Sequence, residues 1–199
     1  MTDRIRDSFL EKQLELGLEL AASCDLLELL PLGRRPVDRY IVRLGCTGLV
    51  RDPRGAVVEA DRFEVGVRFP QDYLRRVHPA QVLAWLGPHE TFHPNIMSPF
   101  ICVGRLAPGT SLPDLIYQVF EIVTYTKVTM REDDALNKDA CVWSRGNRAR
   151  FPVDRRPLRR SVTGPLATAP APSAAGPHST PASRPAPSAA VVPSPGADR

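Results

Sequence analysis

The chain of 199 residues predicts an α+β domain of about 150 residues followed by an unstructured tail. Three observations carry that expectation. The first thirty residues are built from strong helix formers. The stretch from 38 to 86 alternates apolar and polar residues between turn signals, and a capped apolar helix pattern follows it.

In chain order, "RIRDSFLEKQLELGLELAASCDLLELL" predicts a helix from Arg4 to about Leu30, with Leu10, Leu14 and Leu18 on one stripe and Leu16, Leu20 and Leu27 near another. Residues 13 to 20 also alternate Leu with Glu, as a strand would, but the flanking charges and the lack of β-branched residues favour helix. Pro31, Gly33 and Pro36 end it. "DRYIVRLGCTGLVRD" (38–52) and "AVVEADRFEVGVRFP" (56–70), separated by Asp52-Pro53-Arg54-Gly55, predict an antiparallel hairpin, and "AQVLAWL" (80–86) a third strand. "SLPDLIYQVFEIVTY" (111–125) reads as a helix capped by Ser111, with Leu115, Val119, Ile122 and Val123 toward a core. A last helix runs from Asp134 to about Trp143.

Composition bounds the function classes. Nine of the 21 prolines follow residue 160, among Ala, Ser, Thr and Gly with no aromatic residue, so this tail lacks the apolar surface needed to offset the entropy of ordering. It is expected to be disordered. Charge is uneven too: residues 145–160, "RGNRARFPVDRRPLRR", hold seven arginines against Asp154, leaving residues 1–144 mildly acidic. Without interleaved aromatic residues or a nucleic-acid reader pattern, this strip is expected to be a solvated arginine-rich linker rather than a nucleic-acid site. No membrane-length apolar run and no signal-peptide core occur, which places the chain in the cytoplasm as an expectation. Cys24, Cys46, Cys102 and Cys141 stand far apart with no Cys-x-x-Cys pair, and three of the four are expected to be buried, inert thiols.

The segment "HETFHPNIMSPFIC" (89–102) admits two readings. His89-Glu90-Thr91-Phe92-His93 spells the zinc-protease motif, which works when one continuous helix sets both histidines on the same face. Pro94 pushes His93 out of the α region, and Gly87-Pro88 precedes the motif, so any helix is a turn long at most. With no third ligand evident, the match is read as accidental. No metal and no cofactor are expected.

The second reading rests on an ordered set of segments: "FEVGVRFPQDYL", "HPAQVLAWL", "FHPNI", "FICVGRL" and "DDALNKDA". In this order the chain from about residue 4 to 152 resembles the ubiquitin-conjugating enzymes. They carry a Phe-Pro-x-x-Tyr strand end, a Pro-x-x-Val strand, a His-Pro-Asn tripeptide and an Ile-Cys-Leu active-site segment. The resemblance implies that family's fold, with an N-terminal helix, an antiparallel sheet meander, an active-site loop and C-terminal helices. It divides the chain into a conjugating-like catalytic domain at 1–152 and a basic linker and tail at 153–199.

It implies that Cys102 accepts the C-terminus of a ubiquitin-like protein from an activating enzyme as a thioester and passes it to an amine of a target protein. Asn95 would stabilise the oxyanion, His93 would hold the loop that presents Asn95, and Asp134 would orient the incoming lysine. The N-terminal helix would meet the activating enzyme, and a deconjugating peptidase would belong to the same pathway. Several residues depart from the family pattern: Cys102 lies nine residues after His93, one fewer than usual, Pro99 replaces Asn-Gly, Leu74 follows Tyr73 in place of proline, and the downstream Trp-x-Pro is absent. Glu11, Glu15 and Glu19 offset Arg4, Arg6 and Lys12 on the helix. With the Ala-, Arg- and Pro-rich composition, these departures point to a divergent prokaryotic enzyme of a bacterial, antiphage-type system rather than to eukaryotic ubiquitin as cargo. The alternative on the same fold is an inactive scaffold or binding module for a ubiquitin-like protein.

Overall fold

The computed structural model describes residues 3–158. Helix α1 (Arg4–Ala22) starts at Asp3, whose carboxylate accepts the Arg6 N–H at 3.2 Å, and it buries Leu10, Gln13, Leu14, Gly17 and Leu20. The strands β1 (Leu27–Leu32), β2 (Arg39–Leu44), β5 (Phe63–Arg68) and β6 (Leu83–Gly87) form one antiparallel sheet in that spatial order. Between β2 and β5 the chain makes a smaller ribbon of β3 (Gly48–Arg51) and β4 (Val57–Ala60). A single turn, α2 (Pro79–Val82), leads into β6. The two-residue strands β7 (Ile96–Met97) and β8 (Phe100–Ile101) pair with each other, and α3 (Leu112–Val123) and α4 (Lys138–Gly146) complete the fold. The architecture is α+β.

The four-stranded sheet shares one core with α1 and α3, while Ala140 of α4 packs in a second cluster with Leu49, Phe92 and Tyr125. Tyr40, Val42, Val65, Val67, Leu83 and Trp85 from the inner sheet face are buried with Leu10 and Leu14 of α1 and Leu115, Val119, Ile122 and Val123 of α3. Helix α1 comes close to its neighbours because Gly17 has no side chain: a Cβ there would stand 2.7 Å from the side chains of both Leu112 and Leu29. One turn earlier, the buried Gln13 carboxamide accepts the Leu112 N–H at 2.7 Å, so α1 satisfies a donor at the start of α3. Ser111 caps the same end by accepting the Asp114 N–H.

Four sequence expectations are corrected. The first helix stops at Ala22 rather than near Leu30, and residues 27–32 form β1. Leu27 and Leu29 face the core while Glu28 and Leu30 face outward, a period of two that pairing with β2 enforces over helix propensity. Pro31 is tolerated because β1 is an edge strand. Leu18, placed on the buried stripe, is 44% exposed, and the fourth inward position falls to Gly17. The long hairpin is present but broken. Leu44 pairs with Phe63 and Gly48 with Ala60, so its two halves belong to separate sheets, with Gly45–Thr47 and Asp61–Arg62 at the break. The final helix begins at Lys138, after a 3₁₀ turn over Glu132–Asp134.

The basic strip also differs from a solvated linker that starts at 153. Residues 3–158 belong to one compact unit. Leu158 is buried in the main core, and Phe151 packs on Tyr125 with ring centroids 4.8 Å apart. Arg145 pairs with Glu132, and Arg150 lies 5.3 Å over the Trp143 ring. Arg156 holds Asp154 at 2.9 Å and also donates to the Gly45 carbonyl, while Asp154 accepts the Thr47 N–H at 3.2 Å. This latch closes the hairpin break at Gly45–Thr47 with the segment after α4. The expected disordered tail lies outside the described residues.

The Arg156 guanidinium and the N–H groups of Arg156 and Thr47 hold the Asp154 carboxyl down at about 2. A carboxylate depressed in the folded state stabilises above its unfolded value of about 3.9, and that contribution disappears as pH falls toward 2. Asp154→Asn is therefore expected to cost about 1–2 kcal/mol at pH 7 in urea unfolding, with the gap to wild type closing between pH 4 and 2. Equal stability at pH 7 would show that the latch contributes nothing.

Candidate active site

Strand β6 ends where the chain turns sharply, and the next fifteen residues are fixed from three sides. The Trp85 indole N–H and the Thr91 hydroxyl both donate to the Pro88 carbonyl, at 2.9 and 2.7 Å. Phe92 N–H donates to Leu49 O at 2.8 Å and Arg51 N–H to Glu90 O at 2.9 Å, which ties the loop to β3. Trp85 N–H donates to Pro99 O at 2.8 Å, which ties the β7–β8 hairpin to β6. Residues 89–93 therefore form a turn and a bridge, not a helix.

The two histidines of the zinc-like match have different environments. His89 is exposed, its Nδ1 2.8 Å from the Ser98 hydroxyl. His93 is buried, and its Nδ1 accepts the backbone N–H of Asn95 at 3.0 Å. Burial lowers the His93 pKa to about 3, so the ring is neutral, and its proton lies on Nε2 because Nδ1 is an acceptor. Among the described residues no three His, Cys, Asp or Glu side chains form a group able to hold a metal ion.

Asn95 and Cys102 face one another because the hairpin between them is short. Ile96 pairs with Ile101 and Met97 with Phe100, and the next rung outward is Cys102 N–H donating to Asn95 O at 2.8 Å. The Asn95 carboxamide, 4% exposed, adds two further bonds: Nδ2 donates to the Cys102 carbonyl at 3.0 Å, and Oδ1 accepts the Thr129 N–H at 2.9 Å. One side chain thus joins the cysteine segment to the link between α3 and α4. In this arrangement one of the two Nδ2 hydrogens is committed to Cys102 O.

The α3–α4 link is itself fixed. Asn137 N–H donates to Pro94 O at 3.1 Å, and the Cys141 thiol donates to Thr129 O at 3.5 Å. Asp134 ends the 3₁₀ turn in this link, exposed and paired with Arg131 at 3.5 Å. Sequence reasoning missed the residue beneath the loop. Tyr125 stands at φ 59, in the left-handed region that costs a non-glycine residue about 1 kcal/mol. Its ring is edge-on to His93 with centroids 4.3 Å apart, and its hydroxyl donates to the Phe92 carbonyl. A tyrosine between threonines in "TYTKVT" carries no pattern that singles it out.

The four thiols divide clearly. Cys24, Cys46 and Cys141 are buried, whereas Cys102 is partly exposed. Burial pushes the Cys46 thiol up to about 12 and raises that of Cys141, so neither forms the thiolate readily. Cys102 is followed by Val103, whose carbonyl accepts the Lys127 ammonium at 2.6 Å, and by Gly104 at φ +87. The site thus presents one accessible thiol on a backbone braced on both sides. No family model matches the chain, and no curated protein is significantly similar to it.

Alkylation of the native protein with iodoacetamide should label Cys102 first, at a rate at least about tenfold above the others, with Cys46 and Cys141 reacting only on unfolding. Peptide mapping by mass spectrometry distinguishes the four. Labelling of a buried cysteine as fast as Cys102 would contradict this division.

Proposed function

We propose that the chain is a conjugating enzyme of the ubiquitin-like type, with Cys102 as the thioester residue. The observation that carries the reading is the coincidence of the one accessible thiol with the His-Pro-Asn loop: Asn95 and Cys102 are joined by two hydrogen bonds, Cys102 N–H to Asn95 O and Asn95 Nδ2 to Cys102 O. An α+β domain with an N-terminal helix and an antiparallel sheet is compatible with that family.

In the first step the Cys102 thiolate attacks the thioester carbonyl that links a ubiquitin-like protein to its activating enzyme. The new carbon–sulfur bond forms at Cys102 as the old one breaks, and the activating enzyme's cysteine leaves as a thiolate. In the second step an amine of the target attacks the same carbonyl and loses a proton, and Cys102 leaves. Asn95 serves the reaction chiefly as a positioning residue, and its other Nδ2 hydrogen is the donor we assign to the oxyanion. His93 and Tyr125 hold the loop beneath it. Asp134 sits on an exposed turn tied to that loop through Asn137 and Pro94, where a carboxylate orients an incoming ammonium.

The activating enzyme docks on the outward side of α1. Arg6 is not available there, because its guanidinium is 12% exposed and bonded to Asp38 and the Phe69 carbonyl. The free basic contact is Arg4, beside Ile5 at 76% exposure. A deconjugating peptidase belongs to the same bacterial, antiphage-type pathway.

Incubation with ATP, the activating enzyme and a ubiquitin-like protein should give an adduct on Cys102 that reductant removes. Cys102→Ala should abolish it, and Cys102→Ser should convert it to a reductant-resistant ester. An adduct that persists in Cys102→Ala would overturn the assignment. No adduct on wild type, with the same activating enzyme and ubiquitin-like protein active on each other, would favour the scaffold alternative.

A further inference from the structure

The hairpin that carries the accessible thiol also carries two uncovered apolar side chains. Side chains alternate across a strand, and from Phe100 the order is open, buried, open, buried. Phe100 is 51% exposed, Ile101 is buried, Cys102 is partly exposed and Val103 is buried. Met97, also 51% exposed, pairs with Phe100, while Ile96 is buried opposite Ile101. Directly paired residues share a face, so Met97, Phe100 and Cys102 open on one side of the hairpin. The Met97–Phe100 rung stands about 7 Å from Cys102, two residues of strand. Neither side chain packs in the buried clusters of the described residues.

A second chemistry lies across the rung from the thiol. Asn95, opposite Cys102, accepts the Thr129 N–H, and the link that leaves Thr129 forms the 3₁₀ turn Glu132–Asp134 before Asn137 returns it to Pro94. That turn presents carboxylates. Glu132 is paired with Arg145 and Asp134 with Arg131, whereas Asp133 is exposed and makes no ion pair among the described residues. Residues 94–103 include no charged side chain. From the thiol, one direction is therefore apolar and uncharged, and the other is acidic.

A lysine side chain joins the same two characters, a four-carbon apolar stem and a cationic tip. Its stem is about as long as two strand residues. An amine at the carbonyl joined to Cys102 thus brings the target backbone over the Met97–Phe100 rung, and the side chains next to that lysine fall on it. The acyl end of a ubiquitin-like protein carries no charge once it is a thioester, and gives the carboxylates nothing to hold. We propose that Met97 and Phe100 are specificity-determining residues for the acceptor: they hold the stem of the target lysine and an apolar side chain beside it, so that transfer favours lysines with apolar neighbours. The assignment rests on Cys102 being the thioester residue. In the transfer the lysine nitrogen attacks the thioester carbonyl, the carbon–nitrogen bond forms as the carbon–sulfur bond breaks, Cys102 leaves as a thiolate, and the proton lost by nitrogen passes to solvent. Met97 and Phe100 take no part in these bond changes and act on which lysine stands there.

The test is single-turnover discharge of the Cys102 thioester, formed with ATP, the activating enzyme and a ubiquitin-like protein. The acceptors are the peptides acetyl-Leu-Lys-Leu-amide and acetyl-Ser-Lys-Ser-amide, with hydroxylamine as an amine that has no stem. Wild type should discharge to the leucine peptide at least about fivefold faster than to the serine peptide, the scale of partly burying an apolar side chain. Met97→Ser with Phe100→Ser should bring that ratio to within about twofold of unity and leave loading and the hydroxylamine rate unchanged, whereas Met97→Leu with Phe100→Leu should keep it. Circular dichroism confirms folding, and should the double serine variant not fold, Phe100→Ser alone should lower the ratio at least about twofold. A wild type without the preference, or a preference that survives in the serine variant, overturns the proposal. So does slower loading in the serine variant with the peptide ratio intact, which would put the tail of the ubiquitin-like protein on this face. Failure to form any thioester on Cys102 would overturn the proposed function and the assignment with it, whereas a thioester that forms and shows no acceptor preference overturns the assignment alone.

Discussion

The candidate site depends on one buried carboxamide. Asn95 lies where three segments meet: the loop leaving β6, the segment carrying Cys102 and the link between α3 and α4. Each receives a hydrogen bond from it, or gives one to it. A short hairpin alone would leave Cys102 on a two-residue ladder, and ladders of that length are marginal in water. The carboxamide adds a donor to the Cys102 carbonyl and an acceptor for the Thr129 N–H, both inside the protein, where an unmade bond costs about 1–3 kcal/mol. Burial makes the arrangement all-or-none: water does not substitute for a lost partner at 4% exposure. Accessibility at Cys102 and rigidity at Asn95 are thus two sides of one local structure.

Beneath Asn95 the support continues through aromatic packing. His93 turns a lone pair toward the Asn95 N–H and sets its ring against Tyr125, which in turn contacts Phe151. Phe151 belongs to the segment that runs on to the Asp154–Arg156 latch. The arginine-rich stretch, read from composition as a linker, therefore supplies part of the structure under the site. Among the described residues, three of its five arginines are engaged inside the chain: Arg145 on Glu132, Arg150 on the Trp143 ring and Arg156 on Asp154. That gives these three arginines a role in the fold without calling on a nucleic acid.

How far the sequence reveals all this follows from which interactions are local. The hairpin, the Ser111 cap and the inward residues of α3 were legible because turn chemistry, capping and helical periodicity act over a few residues. The end of α1 was not, because Leu27 and Leu29 take strand geometry only through pairing with Leu44 and Val42 of β2, farther along the chain. Gly17 was hidden for the same reason: its role is the space it leaves for Leu112, far along the chain. At the site, the motif singled out Asn95 and Cys102, and hairpin spacing brings them together. Tyr125 and Thr129 were invisible, since one acts through a ring contact and the other through its backbone N–H.

The most direct test of this account is amide hydrogen exchange of wild type and Asn95→Ala, followed residue by residue. Loss of the carboxamide should release the Thr129 N–H outright and speed exchange at Cys102 by at least about tenfold, while the amides of β2 and β5 keep their protection. Unchanged exchange at Cys102 would contradict the account, because the cysteine segment would then be held by something other than Asn95.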